Sequence, residues 1–323
     1  MSSSPRISFL IATDDHPPDL DLFFDALISQ SLPPSEYEVV IVDASRVHDY
    51  SAAYARCLKR KSPDLTLIYK PIDKGGRASA YNYGLGLTNA PIILFLGDDC
   101  LPPPKAAEVH LRFHEQKNDQ RFVGISSALL ADEYRESHFC RWLETSGELF
   151  GIPLTNDTVS IPKGFFYTAN TSVKRELLDQ AGPFVENFRY HAWDDYELGL
   201  RLAKLGMTSV FLPDAKALHM HNISLEERCE RAVQAGESAR VFERLFPGLY
   251  TWQFKGFVSP WLHRLRAKAL MLLYRATRND RFLVWHYKAK LAASFAAGYR
   301  NNVQKLSLDK PTRTVTKKLS RAA

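Results

Sequence analysis

The sequence feature that most constrains the fold is the apolar run Ile92–Leu96, which stops at Gly97 and is followed at once by Asp98 and Asp99. Short apolar runs bounded by turn residues are typical of buried strands in a parallel sheet. Such sheets bind ligands outside the carboxyl ends of their strands, so the pattern predicts a ligand site at the two aspartates. Adjacent carboxylates repel unless a cation joins them, and their hard oxygens suit Mg or Mn. The alternative is an ordinary turn, for which Gly-Asp-Asp is common chemistry.

The composition is that of an ordinary globular protein, with 45% hydrophobic residues in a chain of 323. This length can hold one large domain, or one domain with appendages. No apolar run approaches the roughly 20 residues that span a bilayer, and the N-terminus lacks the apolar segment of a signal peptide. The cysteines contain no Cys-x-x-Cys pair, so we expect reduced thiols in a cytoplasmic protein. They are Cys57, Cys100, Cys140 and Cys229.

The charge is distributed unevenly along the chain. From Lys255 onward there are 16 Lys and Arg against two Asp, a net charge of +14, whereas the preceding residues carry 26 basic and 34 acidic side chains, a net charge of −8. A basic tail that also carries Trp and Phe suggests an anionic partner such as membrane lipid, a charged acceptor or nucleic acid. The alternative is a solvated helical tail. Because no nucleic-acid-binding motif is present, nucleic acid is the least favoured of these partners.

Strand and helix patterns alternate along the chain, which predicts a doubly wound α/β domain. No Gly-x-Gly-x-x-Gly follows the first strand, which argues against a dinucleotide-binding Rossmann domain. Residues 164–170 have the pattern of an aromatic-rich strand or loop. Strands are predicted over residues 7–12, 38–43, 65–69, 92–96, 122–128 and 208–212, and helices over 137–150, 174–181, 224–245 and 281–299, with further helices beginning near Asp19, Gly76 and Asp194.

A second acidic pair, Asp194-Asp195, precedes leucines at helical spacing and is therefore predicted to begin a helix. Asp194 with Glu197 fits a capping box, which is a structural role. The functional alternative is a general base, since the helix dipole keeps such a carboxylate ionised and able to accept a proton from a hydroxyl. Downstream, His219 and His221 lie on one face of an extended segment, where they are either surface residues or a source of a metal ligand.

Taken together and in order, these stretches resemble the family 2 glycosyltransferases, which have the GT-A fold, a Rossmann-like, doubly wound mixed sheet. The resemblance covers about residues 6–240. The first stretches that resemble the family are the strands that end at Thr13 and Asp43 and the segment from Gly76-Arg77 through Tyr81-Asn82 to Gly84. Gly97-Asp98-Asp99 then lies at the family's Asp-x-Asp motif, and Asp194-Asp195 with Arg201-Leu202 lies at its Glu-Asp and Arg-Leu motif. The remaining matches are Asn170-Thr171-Ser172, Gly182-Pro183-Phe184 and His219.

The resemblance implies an enzyme that moves a sugar from a nucleotide-diphosphate donor, with UDP-sugars favoured, to a hydroxyl acceptor with inversion at the anomeric carbon. It implies Asp195 as the general base, and Mn or Mg held by Asp99 and His219. Acceptors within its range are glycans, polysaccharides and lipid-linked saccharides. The residues that it places on the acceptor side are Asn170, Trp193 and Asp194, and those that it places against the donor are Thr13, Asp43, Gly76, Arg77, Asn82 and Asp98.

The sequence departs from the family pattern at several positions. Gly97 replaces the first aspartate of Asp-x-Asp, so metal binding rests on Asp99, and Asp98 is left to the ribose. Tyr81 stands where arginine is usual, and Asp194 replaces the glutamate of the Glu-Asp motif. In addition, Asp43 is followed by Ala-Ser instead of Asp-Gly-Ser. A non-catalytic nucleotide-sugar-binding protein on the same fold is therefore an alternative, and an anionic-surface or nucleic-acid binder is another.

The expected organisation is a GT-A domain over residues 1–245, a basic amphipathic helical extension over residues 246–303, and a disordered tail over residues 304–323. The expected location is the cytoplasm, with the inner membrane face as a peripheral site of attachment through residues 255–323. The motifs do not specify the sugar, the base or the acceptor, because the fold alone does not determine the substrate.

Overall fold

The computed structural model describes residues 4–13, 19–45, 50–73, 75–150, 161–188, 190, 192–249 and 259–301. Asp14, Asp15, Lys74, His191 and the predicted tail 304–323 lie outside these residues. The chain divides into two compact units, Met1–Glu186 with Trp193–Leu225 and Asn187–Ala192 with Glu226–Ala323. The division falls where a long helix begins at Leu225, whereas the sequence placed its boundary after that helix, at residue 245.

A seven-stranded mixed sheet forms the centre of the first unit. Its strands are β1 (Ile7–Thr13), β2 (Tyr37–Asp43), β3 (Thr66–Pro71), β4 (Ile92–Leu96), β6 (Phe122–Ile125), β8 (Asn170–Lys174) and β9 (Thr208–Phe211). Their order in the sheet is β3-β2-β1-β4-β8-β6-β9. The pairs β3–β2, β2–β1, β1–β4 and β6–β9 are parallel, and β8 runs antiparallel to both β4 and β6.

The apolar runs recognised in the sequence form the buried central strands of this sheet. Every residue of β1, β2 and β4 is buried, which requires that both faces of these strands are covered. Since β1 lies between β2 and β4, the strand order reverses there. The carboxyl ends of these parallel strands therefore meet at a topological switch point, where Thr13, Asp43 and the Gly97-Asp98-Asp99 turn are brought to one edge.

A second sheet of three short strands lies after β4 in the chain and carries part of the predicted site. It consists of β5 (Cys100–Leu101), β7 (Ala128–Leu130) and β10 (Ala217–His219), in the order β5-β10-β7. The sequence predicted one strand over residues 122–128, and this was wrong. The segment is divided between the two sheets, because the backbone amide of Ser126 bonds to the Asn170 carbonyl and the segment then leaves the large sheet to pair with β10.

The helices of the first unit follow the predicted pattern with three differences. Helices α2 (Ser51–Arg60) and α4 (Ala106–Gln116) were not predicted. Helix α5 (His138–Ser146) ends at Ser146 instead of Phe150, because Gly147 takes a left-handed conformation, with φ 78°, and ends the helix. The helices are α1 (Leu20–Ile28), α2 (Ser51–Arg60), α3 (Arg77–Leu85), α4 (Ala106–Gln116), α5 (His138–Ser146), α6 (Arg175–Ala181) and α7 (Asp194–Lys204), with short 3-10 helices over Asp132–Glu136 and Pro213–Ala215.

The described residues of the second unit form the helices α8 (Leu225–Leu245), α9 (Pro260–Thr277) and α10 (Asp280–Asn301). Two glycines allow α8 and α10 to approach closely. A Cβ added to Gly236 or to Gly298 would come closer than 3.0 Å to the backbone of Phe295 or Val233, respectively. The α9–α10 pair packs through Ala267, Leu270 and Ala289. None of the helices described here is long and apolar enough to cross a membrane.

Candidate active site

Thr13 and Asp43 lie side by side at the ends of β1 and β2, where they are paired in the parallel register. The Thr13 hydroxyl donates to Tyr50 Oη at 2.5 Å, and Asp43 accepts hydrogen bonds from the Tyr69 hydroxyl and from the backbone amide of Ser45. The rings of Tyr50 and Tyr69 stack with their centroids 6.4 Å apart. Thr13, Asp43 and Tyr50 are buried, and Tyr69 is half-buried. The cluster therefore forms packed support at the switch point, where sheets of this kind bind nucleosides.

Asp99 and His219 form the second part of the site, and strand pairing holds them together. Cys100 of β5 lies opposite His219 of β10, and the backbone amide of Met220 donates to the Asp99 carbonyl at 2.7 Å. The side chains then meet, with His219 Nε2 at 3.0 Å from Asp99 Oδ2. Burial acts to raise the pKa of Asp99, but the charge and hydrogen bond of His219 outweigh it and hold that pKa well below its usual range.

The Asp99–His219 pair fits a divalent cation only if other ligands complete the site. Among the residues that the structure describes, no three His, Cys, Asp or Glu side chains are arranged to hold a metal. Mg²⁺ and similar ions in phosphate-binding sites use one or two carboxylates together with water and substrate phosphates. His219 Nδ1 is buried without a hydrogen-bond partner, so the imidazole still has an unused polar atom. These donors agree with a cation that a bound diphosphate would complete.

Gly97 also has a structural reason for its identity. A Cβ at this position would lie 2.8 Å from Cys100 Sγ and 3.0 Å from Asp99 Oδ1. A side chain at residue 97 would therefore force the side chain of Cys100 or of Asp99 to shift. The departure from Asp-x-Asp noted in the sequence is thus matched by close packing around the turn.

Asp195 lies in the first turn of α7, where Thr168 holds its carboxylate. The Thr168 amide donates to Oδ2 at 3.0 Å, and the Thr168 hydroxyl lies 3.1 Å from both carboxylate oxygens. Arg77 Nη2 donates to the same hydroxyl at 2.5 Å. Because the hydroxyl accepts from Arg77, its single proton is left to donate to Asp195. Thr168 is fully buried, so this arrangement holds Asp195 in a fixed orientation.

Asp194 and Trp193 flank this carboxylate in an unusual backbone. Trp193 has φ 74°, which is uncommon for a residue other than glycine and marks local strain of the kind found at functional sites. Burial, and next the negative charge of Asp195, raise the pKa of Asp194 to about 7. The capping box considered for Asp194 is not formed, because Trp193 is the N-cap and its carbonyl accepts from the Glu197 amide.

Glu197 instead binds Arg201 in a buried, bidentate ion pair with distances of 2.8 and 2.7 Å. The remaining donors of Arg201 bond to the carbonyls of Ala181, Gly182 and Pro183. Arg201, which lies in the stretch that resembles the family's Arg-Leu motif, therefore links α7 to the end of α6 and the two residues that follow it.

Two residues that the resemblance assigns to ligands form hydrogen bonds within the protein. The amide of Asn82 exchanges hydrogen bonds with the backbone of Phe184 and donates to Glu186, so it holds the segment after α6. Asn170, expected on the acceptor side, is 1% exposed and donates to the carbonyls of Ser127 and Ala215. Its oxygen lies 3.1 Å from His110 Nε2, so no polar atom of this side chain is left for an acceptor.

The segment between Thr168 and Asn170 joins the two halves of the site. Thr168 holds Asp195, and the carbonyl of the next residue, Ala169, accepts from the Gly97 amide at 3.1 Å. The turn that bears Asp98 and Asp99 is thus hydrogen-bonded to Ala169, and the helix that bears Asp195 is hydrogen-bonded to Thr168. These two neighbouring residues directly precede β8. Gly76 is the N-cap of α3, and the next residue, Arg77, is hydrogen-bonded to the same segment through the hydroxyl of Thr168.

Sequence reasoning missed Tyr50, Tyr69 and Thr168 as members of the site. Tyr50 and Tyr69 are separated from Thr13 by 37 and 56 positions and have no motif around them. Thr168 lay in a segment that was recognised only as aromatic-rich. The available signal was that this segment precedes Asn170-Thr171-Ser172, but its contact with Asp195 depends on tertiary packing.

Comparison with known proteins gives a consistent result. The model of "Glycosyl transferase family 2" matches residues 8–182. The chain is 22% identical over 241 residues to the uncharacterized glycosyltransferase YfnE of Bacillus subtilis (strain 168), covering 61% of this chain and 60% of that protein. It is 26% identical over 230 residues to validoxylamine A glucosyltransferase of Streptomyces hygroscopicus subsp. limoneus, covering 64% and 49%. The chain therefore spans 60% and 49% of the length of these two relatives.

Solved structures share the fold. The mannosyltransferase PcManGT from Pyrobaculum calidifontis, solved with GDP-Man and Mn²⁺, superposes with a TM-score of 0.64 at 19% identity, covering 93% of this chain and 89% of that one. Residues 1–349 of S. aureus TarS in complex with UDP-GlcNAc superpose with a TM-score of 0.52 at 14% identity, covering 91% and 90%.

Proposed function

This chain belongs to glycosyl transferase family 2, and on that basis we propose that it moves a sugar from a nucleotide-diphosphate donor to a hydroxyl acceptor with inversion at the anomeric carbon. Membership of the family supports a glycosyltransferase enzyme over a non-catalytic binding protein, and the predicted GT-A fold is confirmed. The observation that carries the finer proposal is the Thr168–Ala169 link, which attaches both Asp195 and the Asp98-Asp99 turn to one short segment.

Asp195 acts as the general base in this proposal. Its carboxylate takes the proton of the acceptor hydroxyl while that oxygen forms a bond to the anomeric carbon. The bond between the anomeric carbon and the diphosphate oxygen breaks on the opposite face, and the nucleoside diphosphate leaves with the electron pair. Thr168 and Arg77 hold the carboxylate in place through their hydrogen bonds, so the proton acceptor is oriented before the acceptor arrives.

Asp99 and His219 would hold Mn²⁺ or Mg²⁺, with donor phosphates as further ligands. Such an ion supplies charge neutralisation for the leaving diphosphate. The support in this chain is the ionised carboxylate of Asp99 beside an imidazole with a buried, unpartnered nitrogen. The structurally similar mannosyltransferase PcManGT was solved with Mn²⁺ and GDP-Man, which agrees with a divalent cofactor in this fold.

Donor binding is proposed at the edge of the sheet where Thr13, Asp43, Tyr50 and Tyr69 lie, with Asp98 and Arg77 towards the ribose and diphosphate. UDP-sugars are our first candidates, and GDP- and dTDP-sugars are the alternatives. Trp193 and Asp194 are proposed on the acceptor side because they adjoin Asp195. The acceptor is a hydroxyl of a glycan, polysaccharide or lipid-linked saccharide.

Thermal-shift measurements with UDP, GDP, dTDP and their sugars, each with and without Mn²⁺, test the donor site. A ligand at 100 times its dissociation constant stabilises the folded state by about 2.7 kcal/mol. We expect a metal-dependent shift with one nucleotide in the wild type and loss of the metal dependence in Asp99→Ala. No shift with any nucleotide, or an unchanged metal dependence in Asp99→Ala, would contradict the assignment. The anomeric configuration of the product, read by NMR, then tests inversion.

A further inference from the structure

Helix α9 carries a continuous apolar surface that the described structure leaves exposed. Five of its large apolar side chains are between 44% and 64% exposed: Trp261, Leu262, Leu265, Leu272 and Leu273, which we call the α9 stripe. At about 100° per residue, these positions fall within roughly 120° of the helix circumference, so they form one surface and are not scattered. Contiguous exposed apolar surface on a helix marks a binding face for a partner or a membrane.

The other side of α9 is already used. Ala267 and Leu270 are buried against Ala289 of α10, and the Ala267 carbonyl lies 2.7 Å from Nδ1 of His286. The α9 stripe therefore does not hold the helical pair together. The side chains of the α9 stripe thus remain exposed although α9 is packed against α10.

Cations border the α9 stripe on both sides. By the same helical geometry, Arg264, Lys268 and Arg275 fall along one edge and Arg266 along the other. The helix contains these four basic residues and no acidic one. Apolar side chains with a tryptophan at one end, bordered by Lys and Arg, are the pattern of helices that lie in the plane of a membrane interface. The charge selects anionic lipids, because each cation near such a surface contributes to binding.

A second copy of the chain is a poorer occupant for the same charge reason. A two-fold contact through the α9 stripe would bring the bordering cations of both copies together without acidic residues of α9 to pair with them. From these observations we infer that the α9 stripe is a docking surface for an anionic lipid membrane, with the helix lying in the interface and not crossing it. The inference is independent of the proposed sugar transfer.

Vesicle flotation of the full chain without donor or acceptor tests this inference. Vesicles of phosphatidylcholine alone are compared with vesicles that also contain phosphatidylglycerol, at low and high salt. We expect binding to the anionic vesicles, weakened by salt. In Leu265→Gln/Leu272→Gln the partition coefficient should fall by about tenfold or more, because two inserted side chains are lost. In Lys268→Gln/Arg275→Gln it should fall by about fivefold for each cation removed.

The matched control is Leu58→Gln on α2, where the leucine is 42% exposed, close to the 44% of Leu265. This variant should bind vesicles like the wild type, and circular dichroism should be unchanged in all variants. Equal vesicle binding by the wild type and Leu265→Gln/Leu272→Gln would overturn the inference. So would an absence of vesicle binding together with a dimer, measured by light scattering, that this double variant abolishes, because the α9 stripe would then be a self-association surface.

Discussion

At the scale of single residues, the site depends on a carboxylate that the fold orients before any ligand is present. Asp195 receives hydrogen bonds from the amide and the hydroxyl of Thr168, and the hydroxyl is itself set by Arg77. Fixed orientation of a proton acceptor is a recognised source of catalytic rate, since the group needs no rearrangement when the substrate binds. The role proposed for Asp195 and the role of Thr168 can therefore be separated by substitution.

Asp195→Asn should lower kcat by about 10²–10⁴, because it removes proton acceptance while keeping the size of the side chain. The dissociation constant of the donor should stay within about threefold of the wild-type value, since the proposed donor site near Thr13 and Asp43 is unchanged. Turnover assays and calorimetric titration of the donor measure the two quantities. Loss of donor binding in parallel with turnover would show that Asp195 does not have the proposed role.

Thr168→Val should lower kcat by about tenfold or more, because a hydrogen bond to a charged group is lost and Arg77 loses its acceptor. Thr168→Ser keeps the hydroxyl and serves as the matched control. The readout that separates positioning from simple packing is the pH dependence of kcat. The fall in rate on the acid side should move to higher pH in the valine variant alone, because a carboxylate with fewer donors is protonated more easily. Identical profiles for valine and serine would exclude a positioning role.

At the scale of helices and strands, pairing between distant segments determined what the sequence could and could not reveal. The apolar runs Ile92–Leu96 and residues 38–43 were predicted nearly to the residue, because buried strands have a strong local pattern. The break between β6 and β7 was missed because both halves are apolar, and only their separate partners, β8 and β10, distinguish them. The sequence likewise contained no signal that β8 runs antiparallel.

The contact between α8 and α10 gives a prediction at this scale. Glycine to alanine in a helix normally gains up to about 1 kcal/mol from propensity. At Gly298, however, the new Cβ would meet the backbone of Val233, which cannot move aside like a flexible side chain. We therefore expect Gly298→Ala to destabilise the protein by about 1–3 kcal/mol. Lys288→Ala, an exposed change on the same helix, is the control for urea unfolding. Equal or greater stability of Gly298→Ala would contradict the close approach of these helices.

At the scale of the whole molecule, the buried Asp194 connects the site to stability. Its pKa is raised from an ordinary 3.8 to about 7, first by burial and then by the charge of Asp195. Between these two pH values the folded state keeps a proton that the unfolded state releases, so the free energy of unfolding falls as the pH rises from about 4 to about 7. The upper limit of this loss is about 4 kcal/mol, since each pKa unit corresponds to about 1.4 kcal/mol.

Asp194→Asn should remove that loss. The variant should be more stable than the wild type at pH 8, and the difference should shrink towards pH 4, where the carboxyl is protonated in both states. Denaturant unfolding of both proteins across this range measures the effect. A stability difference that does not change with pH would contradict the raised pKa. Activity measured in parallel shows whether the cost of burying this carboxyl is linked to acceptor binding.

The overall class of the fold was predictable because strand ends, acidic turns and helix starts follow one another in a recognisable order. For the candidate site, the sequence indicated which residues belong together only in part. It grouped Asp99 with His219, and their side chains do meet, but it did not show that Asn82 and Asn170 bond to backbone segments. The distinction between a side chain that faces a ligand and one that bonds internally depends on tertiary contacts, which local pattern does not contain.

The position of Asp99 beside His219 has a consequence for how the protein can diversify. Their spacing is set by β5 and β10, which pair through backbone atoms. The chain between β7 and β8, residues 131–169, leaves and re-enters this framework at two fixed strand ends. This part of the chain also contacts the pair directly, because the Ala131 amide donates to the His219 carbonyl and the Phe150 ring lies 5.5 Å from the His219 ring. An exchanged segment must therefore keep these two contacts. A library restricted to the exposed residues between 132 and 148 would vary the segment and leave both in place.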